Sequence, residues 1–341
     1  MTKTTMRAVG YRKNLPISEA ESLVDLELPV PRPGPRDLLV RVAAVALNPV
    51  DYHVRQSTDP GGEPKVLGWD AAGTVVAVGD EVGMFEVGEE VYYAGAIDRA
   101  GANSEYHVVD ERITARKPAT LGFAEAAALP LTSLTAWEGL FERLGLHREP
   151  LQRTGALLVT AAAGGVGAMV SQLASALTSL TVIGTASRPE TIDFARRMGA
   201  DHVVDHHEPL APQLAEVTPD GIEHVFSTAG THRNLAAYAE ILKPFGGIVA
   251  IDNFEEIPLG LLKAKSISFH WEFMYTRSLF QTPDQVRQHH ILTQIARLVD
   301  AGIITSTAHR ELGPINAANL REGHRILESG TTIGKLTLTG F

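Results

Sequence analysis

A glycine-rich turn is the segment of the sequence with the clearest chemistry. It reads Ala162-Ala163-Gly164-Gly165-Val166-Gly167 and follows the apolar run Ala156 to Thr160. A pyrophosphate needs backbone N–H groups at a helix N-terminus, and only residues without bulky side chains let it approach them. The spacing is that of the G-x-G-x-x-G fingerprint with alanine in the first place. We therefore predict a dinucleotide site formed by Ala163, Gly164, Gly165, Val166 and Gly167.

A second polar segment follows the next apolar run and indicates which dinucleotide binds. After Leu180 to Thr185 the chain continues Ala186-Ser187-Arg188-Pro189-Glu190. An NAD site places a carboxylate here for the ribose 2′-OH, whereas a hydroxyl and a guanidinium suit a 2′-phosphate. This segment predicts NADPH, bound by Ser187 and Arg188. The alternative is that Ser187 and Glu190 form a capping box with Arg188 in solvent, and both can hold at once.

The elements that position these turns alternate strand, helix and strand from Ala156 onward. The helical pattern of Val166 to Leu177 separates the first two strands. Further strands are predicted at 202–205, 224–228 and 247–251. A doubly wound parallel sheet is the simplest way to connect them, so we predict an α/β fold. The run 266–271 predicts a last strand at the sheet edge, where a second subunit can pair.

The N-terminal part of the sequence has a different pattern. From Met6 to about Lys117, short β-like runs are separated by Gly and Pro, which predicts a compact, mostly antiparallel β-domain. Helical spacing indicates helices within 123–144 and a further helix over 282–301. A chain of 341 residues exceeds what one hydrophobic core usually supports, so two domains are expected.

Composition excludes several classes of function. The formal net charge is -10 and no Lys/Arg block opposes it, so nucleic acid and anionic membranes are not expected partners. The absence of cysteine excludes disulfides and thiolate zinc sites. Neither a secretory signal nor an apolar run of membrane-spanning length is present, and we predict a cytoplasmic protein.

The order of these parts resembles the medium-chain dehydrogenase/reductase superfamily over essentially the whole chain. The resemblance implies a GroES-like β-barrel domain at 1–127, a Rossmann domain at 128–271 and a C-terminal return to the first domain at 272–341. Three motifs look like the quinone oxidoreductase branch, and the protein is most similar to those called zinc-type alcohol dehydrogenase-like. They are Asn48-Pro49-Val50-Asp51-Tyr52, Leu67-Gly68-Trp69-Asp70-Ala71-Ala72-Gly73 and Pro130-Leu131-Thr132-Ser133-Leu134-Thr135-Ala136-Trp137.

The sequence departs from the zinc enzymes of this superfamily at the metal ligands. Where those enzymes have a Cys and a His-Glu pair, this chain has Asn48 and Trp69-Asp70, and the four-Cys loop is absent. We therefore predict no metal. The adjacent pairs His206-His207 and His289-His290 are expected to point apart on the surface rather than form a replacement site.

The resemblance implies that NADPH delivers hydride to a quinone or to the β-carbon of an enone, which needs less electrophilic help than a simple ketone. Asn48 and Tyr52 are the candidate catalytic donors to the ribose or to the developing oxyanion. The alternatives are that Asn48-Pro49 forms an ordinary turn and that Tyr52 packs between the two predicted domains. Thr135 matches a position on the nicotinamide side, and Lys335 is expected near the cofactor.

Other functions remain open at this point. A zinc-dependent alcohol dehydrogenase and a non-enzymatic, NADPH-binding regulatory protein are the alternatives to the zinc-independent reductase. The expected partners are a small quinone or enone substrate and a second copy of the chain in a homodimer. Asp51 and Asp70 are expected to act as turn and interdomain hydrogen-bond partners rather than as catalytic acids.

Overall fold

The computed structural model describes residues 4–146 and 155–341. The chain divides into two compact units. The first unit comprises Met1–Leu131 and Tyr275–Phe341, and the second comprises Thr132–Met274. The first unit is therefore completed by the C-terminal part of the chain.

The N-terminal part of the first unit is mostly β-structure. Its strands are β1 (Thr5–Tyr11), β2 (Val24–Pro29), β3 (Asp37–Ala46), β4 (Lys65–Val66), β5 (Asp70–Val78), β6 (Glu90–Tyr93), β7 (Tyr106–Asp110) and β8 (Thr114–Arg116). Its α-helices are α1 (Pro49–Ser57) and α2 (Phe123–Ala127). β3 pairs antiparallel with β5 and with β7, and two register shifts against β5 bend it. The predicted mostly antiparallel β-domain is confirmed.

The second unit has a parallel sheet covered by helices. Its elements follow α3 (Pro130–Trp137) and are β9 (Gly155–Val159), α4 (Gly165–Leu177), β10 (Leu180–Thr185), α5 (Pro189–Arg197), β11 (His202–Val204), α6 (Leu210–Val217), β12 (Ile222–Ser227), α7 (Thr231–Ile241), β13 (Leu242–Ala250) and β14 (Ser268–Trp271). The strand order is β11-β10-β9-β12-β13-β14, and every pair is parallel.

This strand order is that of the doubly wound dinucleotide-binding fold, which confirms the predicted α/β class. The order reverses between β9 and β12, so the switch point lies at the carboxyl end of β9. Leu158, Ile183, Val225 and Ile248 are fully buried in one apolar cluster with the covering helices. The near-continuous apolar sequence of these strands follows from burial on both faces of the sheet.

The C-terminal part of the chain completes the sheet of the first unit. Its elements are α8 (Thr276–Leu279), α9 (Arg287–Asp300), β15 (Ala308–Glu311), α10 (Ala317–Glu328) and β16 (Lys335–Thr339). β16 pairs antiparallel with β3, with Thr337 opposite Ala46. This pairing places Lys335, the first residue of β16, near the end of β3 and the start of α1.

No helix in the described part of the chain is both long enough and apolar enough to cross a lipid bilayer.

Candidate functional site

The glycine-rich turn joins the carboxyl end of β9 to the N-terminus of α4. Gly164 is the N-cap of α4, and its extended backbone leads into the helix at Gly165. The first N–H groups of a helix have no acceptor within the helix, and the helix dipole favours an anion there. A Cβ on Gly167 would lie 2.4 Å from the carbonyl oxygen of Ala161, so only glycine fits. The turn has the geometry that a pyrophosphate requires.

The alanine in the first fingerprint position is accommodated by the neighbouring strand. Ala162 is fully buried, and its N–H donates to the carbonyl of Thr185 at 3.1 Å. A Cβ built on Gly184 of β10 would lie 2.7 Å from the Cβ of Ala162. The Cβ of Ala162 therefore occupies space that is open because Gly184, on the neighbouring strand, has no side chain. Ala161, at φ +46°, has a left-handed backbone that costs energy in a residue other than glycine.

The segment after β10 carries the residues predicted for the 2′-phosphate. Ser187 is half-buried, and the Arg188 side chain is 43% exposed with its guanidinium 3.4 Å from Glu190. β10 and β9 are neighbours in the sheet, so this segment and the glycine-rich turn leave the same edge. Residues 183–189 contain no carboxylate.

The alternative capping box of Ser187 and Glu190 is wrong. Arg188 is the N-cap of α5, and Pro189 is its first residue. The hydroxyl of Thr191 accepts a hydrogen bond from the Arg188 N–H at 3.1 Å and donates to the Arg188 carbonyl. The cap is displaced by one residue because the fixed φ of Pro189 suits the first helical position. Ser187 therefore lies outside the cap.

Two threonines and an aspartate that no sequence motif singled out extend the polar edge of the sheet. Thr228 follows β12, and Thr160 follows β9. The Thr228 N–H donates to the Thr160 hydroxyl and the Thr228 hydroxyl donates to the Thr160 carbonyl, both at 2.7 Å. Asp252 follows β13 and accepts from the Thr231 N–H at 2.9 Å, at the start of α7. The sequence did carry a signal for these residues, namely one or two polar residues directly after the apolar run of a strand.

A buried polar cluster lies in the first unit, where β16 meets α1 and β5. The ammonium of Lys335 lies 2.8 Å from Oδ2 of Asp70 and contacts Oδ1 of Asn48. The Asn48 amide nitrogen donates to the same Asp70 oxygen at 2.9 Å. Asn48, Asp70 and Lys335 are 2%, 0% and 3% exposed. The cluster combines one cation and one carboxylate with an amide that uses both of its polar atoms.

Two carboxylates at this cluster also hold helix N-termini. Asp51 accepts a hydrogen bond from the Asn48 N–H at 2.7 Å, in the first turn of α1. The other Asp70 oxygen accepts from the Leu131 N–H at 2.8 Å, in the first turn of α3. Asp51 and Asp70 are therefore hydrogen-bond partners of the first turns of α1 and α3. Burial raises the pKa of Asp51 to about 7, against the opposing effects of the Asn48 N–H and of Lys335.

Trp69 and Tyr52 are close in sequence to members of this cluster. Trp69 directly precedes Asp70, and Tyr52 follows Asn48 by one helical turn. Trp69 is fully buried, its indole N–H has no partner among the described residues, and its ring meets Tyr275 edge-on at 6.2 Å between centroids. Tyr52, on α1, is partly exposed, with its ring 4.2 Å from that of His53. Burial and the charge of Glu328 raise the pKa of Tyr52, so its phenol keeps its proton at neutral pH.

The chemistry of these residues does not fit a zinc site. Zinc ligands in proteins are thiolates, imidazoles and carboxylates. Asn48 and Trp69 offer none of these, and the ammonium of Lys335 already contacts the oxygens of Asn48 and Asp70. Among residues 4–146 and 155–341, no three His, Asp or Glu side chains come together as a ligand set.

The expectation that adjacent histidines point apart is wrong for His206 and His207. Their ring centroids are only 4.4 Å apart, because the pair lies in a turn rather than in a strand or helix. In the second pair, Nδ1 of His289 lies 2.7 Å from the carbonyl oxygen of Thr114. Neither pair belongs to a three-ligand group within the described residues.

A dinucleotide turn on the doubly wound sheet of the second unit, together with the antiparallel strands of the first unit, defines a class of nicotinamide-dependent oxidoreductases. Residues 34–135 match the family described as alcohol dehydrogenase GroES-like domain, and residues 165–286 match the family described as zinc-binding dehydrogenase. The chain belongs to the medium-chain dehydrogenase/reductase superfamily.

Three relatives illustrate the range of names in this superfamily. A zinc-type alcohol dehydrogenase-like protein of Staphylococcus epidermidis is 37% identical over 98% of this chain and 99% of its own. A crystal structure from Rhizobium etli, named as a candidate zinc-dependent alcohol dehydrogenase, is 49% identical over 99% and 98% with a TM-score of 0.95. A Pseudomonas syringae quinone oxidoreductase is 26% identical over 98% and 99% with a TM-score of 0.80.

The structure brings the predicted cofactor residues Ala163 to Gly167 into one turn and places Ser187 and Arg188 at the same sheet edge. Thr135 lies in α3, and Asn48 lies in the buried cluster of the first unit. The ligand contacts of all these residues, and the catalytic roles of Asn48 and Tyr52, stay predictions.

Proposed function

We propose that this protein is a zinc-independent, NADPH-dependent reductase whose acceptor is a quinone or an α,β-unsaturated carbonyl compound. The observation that carries the proposal is the donor set at the position of the family's zinc ligands. There, Asn48 and Asp70 bind the ammonium of Lys335, and Trp69 offers no ligand to a metal.

A conjugated acceptor suits this site. Reduction of a simple ketone relies on a Lewis acid worth several kcal/mol of charge stabilisation, whereas an enone or quinone spreads the developing charge over a conjugated system. NADPH supplies the hydride when bound. Tyr52, whose raised pKa keeps its phenol protonated, donates a hydrogen bond to the acceptor oxygen, and Asn48 holds the start of the helix that carries Tyr52.

The choice of NADPH over NADH rests on the segment after β10. Ser187 and Arg188 offer a hydroxyl and a permanently charged fork at the place where NAD sites use a carboxylate. The Arg188 guanidinium lies 3.4 Å from Glu190, an exposed acidic side chain on its own helix. Such an exposed pair contributes little to stability, so a phosphate can displace it at low cost.

The experiment that tests the proposal measures oxidation of NADPH and of NADH by the purified protein with a small quinone, an enone and an aldehyde. The proposal predicts turnover of the quinone or the enone with NADPH and little turnover of the aldehyde. Aldehyde reduction or alcohol oxidation as the main activity supports the alcohol dehydrogenase alternative. NADPH binding without turnover of any acceptor supports a regulatory protein.

We also propose that the protein forms a homodimer through β14. This strand pairs with β13 on one side and is the last strand of the sheet among the described residues. Trp271 at its end is 51% exposed and Phe273 is 45% exposed, and an unpaired strand edge with apolar side chains is a template for pairing. We expect the wild type to sediment as a dimer. The variant Trp271→Lys should sediment with a larger share of monomer. A monomeric wild type contradicts this proposal.

A further inference from the structure

Two helices that carry predicted functional residues begin at the same buried cluster. α1 begins at Pro49, directly after its N-cap Asn48, and carries Tyr52 in its first turn. α3 begins at Pro130 and carries Thr135 about one turn beyond Leu131. The Asn48 side chain and the Leu131 N–H both bind Asp70, at 2.9 and 2.8 Å. The Asp70 carboxylate is therefore a shared anchor for the first turns of both helices.

The ammonium of Lys335 is the group that compensates the buried charge of this anchor. Asp70 is completely buried, and an isolated carboxylate in such a place loses its hydration. Lys335 lies 2.8 Å from Oδ2 of Asp70, and its own backbone is fixed by a hydrogen bond from its N–H to the Thr307 carbonyl. Lys335 also donates to Oδ1 of Asn48, which fixes the orientation of that amide.

We propose that Lys335 is a positioning residue for the reduction of the acceptor. Through Asp70 it fixes the first turn of α3, and through Asn48 it fixes the first turn of α1. Lys335 thereby orients the first turn of the helix that carries each of Thr135 and Tyr52. It does so without contacting cofactor or acceptor. The assignment rests on the proposed function, because Tyr52 and Thr135 are the residues that it serves.

Removal of the Lys335 ammonium should therefore lower the rate of acceptor reduction. Misplacement of reacting groups by about 1 Å can cost about a hundredfold. In Lys335→Met, Asp70 loses its charged partner and Asn48 loses a donor. We expect kcat with saturating NADPH and acceptor to fall about tenfold to a hundredfold, and the dissociation constant of NADPH to rise through the altered start of α3.

A matched control is available at the other end of α1. Arg55 is fully buried, its guanidinium pairs with Glu328, and its Nε lies 3.4 Å from Nδ1 of His324. Arg55→Lys keeps the charge but loses the fork of donors, so it lowers the melting temperature without touching the cluster. We expect this variant to keep kcat within about twofold of the wild type.

A double variant, Lys335→Met with Asp70→Asn, keeps the proposal testable if Lys335→Met folds poorly. It removes both charges, and the new amide at position 70 retains an oxygen for the Leu131 N–H. We expect the double variant to regain melting temperature and part of kcat relative to Lys335→Met. An unchanged kcat in Lys335→Met overturns the proposal. So does an equal loss of kcat in Arg55→Lys, or a double variant that regains melting temperature but none of kcat.

Failure of the proposed function can be distinguished from failure of this inference. If the wild type turns over neither quinone nor enone, the proposed acceptor class is wrong. NADPH fluorescence titration of the same variants then decides the positioning role. Weaker binding by Lys335→Met with unchanged binding by Arg55→Lys supports it, and equal binding by all variants overturns it.

Discussion

Lys335 and Asp70 are 265 positions apart in the sequence, yet the ammonium of one lies 2.8 Å from the carboxylate of the other inside the first unit. The pair exists because β16 returns to β3 and delivers its first residue to the start of β5. The ammonium of Lys335 thereby compensates the charge of a carboxylate that is completely buried.

Arg188→Ala should weaken NADPH binding and leave NADH binding unchanged. A hydrogen bond to a charged group contributes about 1.5–3 kcal/mol, which corresponds to about a tenfold to a hundredfold rise in the dissociation constant. Arg196→Ala, on the exposed face of the same helix, is the control because it removes the same charge. Fluorescence titration with both cofactors measures the effect. Equal weakening for NADPH and NADH would show that Arg188 does not bind the 2′-phosphate.

Gly184→Ala should destabilise the protein because its new Cβ would lie 2.7 Å from the Cβ of Ala162. Overpacking of this kind costs about 1–3 kcal/mol. The double variant Ala162→Gly/Gly184→Ala removes the clash and should regain most of the lost free energy of unfolding. Urea denaturation of the wild type, both single variants and the double variant gives the coupling energy. Additive single effects would mean that the two positions do not share the space.

Asp51→Asn should remove a loss of folding stability that the wild type shows as the pH rises from about 4 to about 7. The folded pKa of Asp51, about 7, lies above the unfolded value of 3.8, so the folded state binds the proton more tightly. The contribution of Asp51 is fully present below about pH 4 and is lost as the pH rises towards 7. The free energy of unfolding of the wild type should therefore fall relative to the variant across this range, by a few kcal/mol.

Asp37→Asn is a control with the opposite sign for the Asp51 experiment. Burial alone would raise the pKa of Asp37, but the hydrogen bonds and charge of Arg99 outweigh it and hold the pKa below its ordinary value. Its contribution is present above about pH 4 and is lost as the pH falls further. Urea denaturation from about pH 3 to about pH 8 should show the two opposite trends. A constant difference between wild type and Asp51→Asn would contradict the assignment.

The elements of the fold could be predicted because local patterns determine them. The apolar runs at 156–160 and 180–185 and the intervening helical pattern correspond to β9, β10 and α4 within one residue. The predicted helix over 282–301 instead begins at Arg287, and the predicted strand at 266–271 begins at Ser268. Ser266 ends a 3₁₀ helix with a left-handed backbone at φ +51°, which delays that strand.

The candidate site was predictable only in part. The glycine-rich turn is continuous in sequence, so its spacing was sufficient. The contact of Lys335 with Asn48 joins residues 287 positions apart, and neither periodicity nor spacing carries that information. The cap at Arg188 had a signal in Pro189, which marks the first helical residue. The compensation of Ala162 by a glycine on β10 depends on the register of two parallel strands.

The most direct test of the central claim is the metal content of the active enzyme. NADPH oxidation with a quinone or enone is measured before and after treatment with a strong chelator, and zinc in the same samples is quantified by mass spectrometry. We expect far less than one zinc per chain and an unchanged rate after chelation. One zinc per chain, with activity lost on chelation and restored by added zinc, would contradict zinc independence.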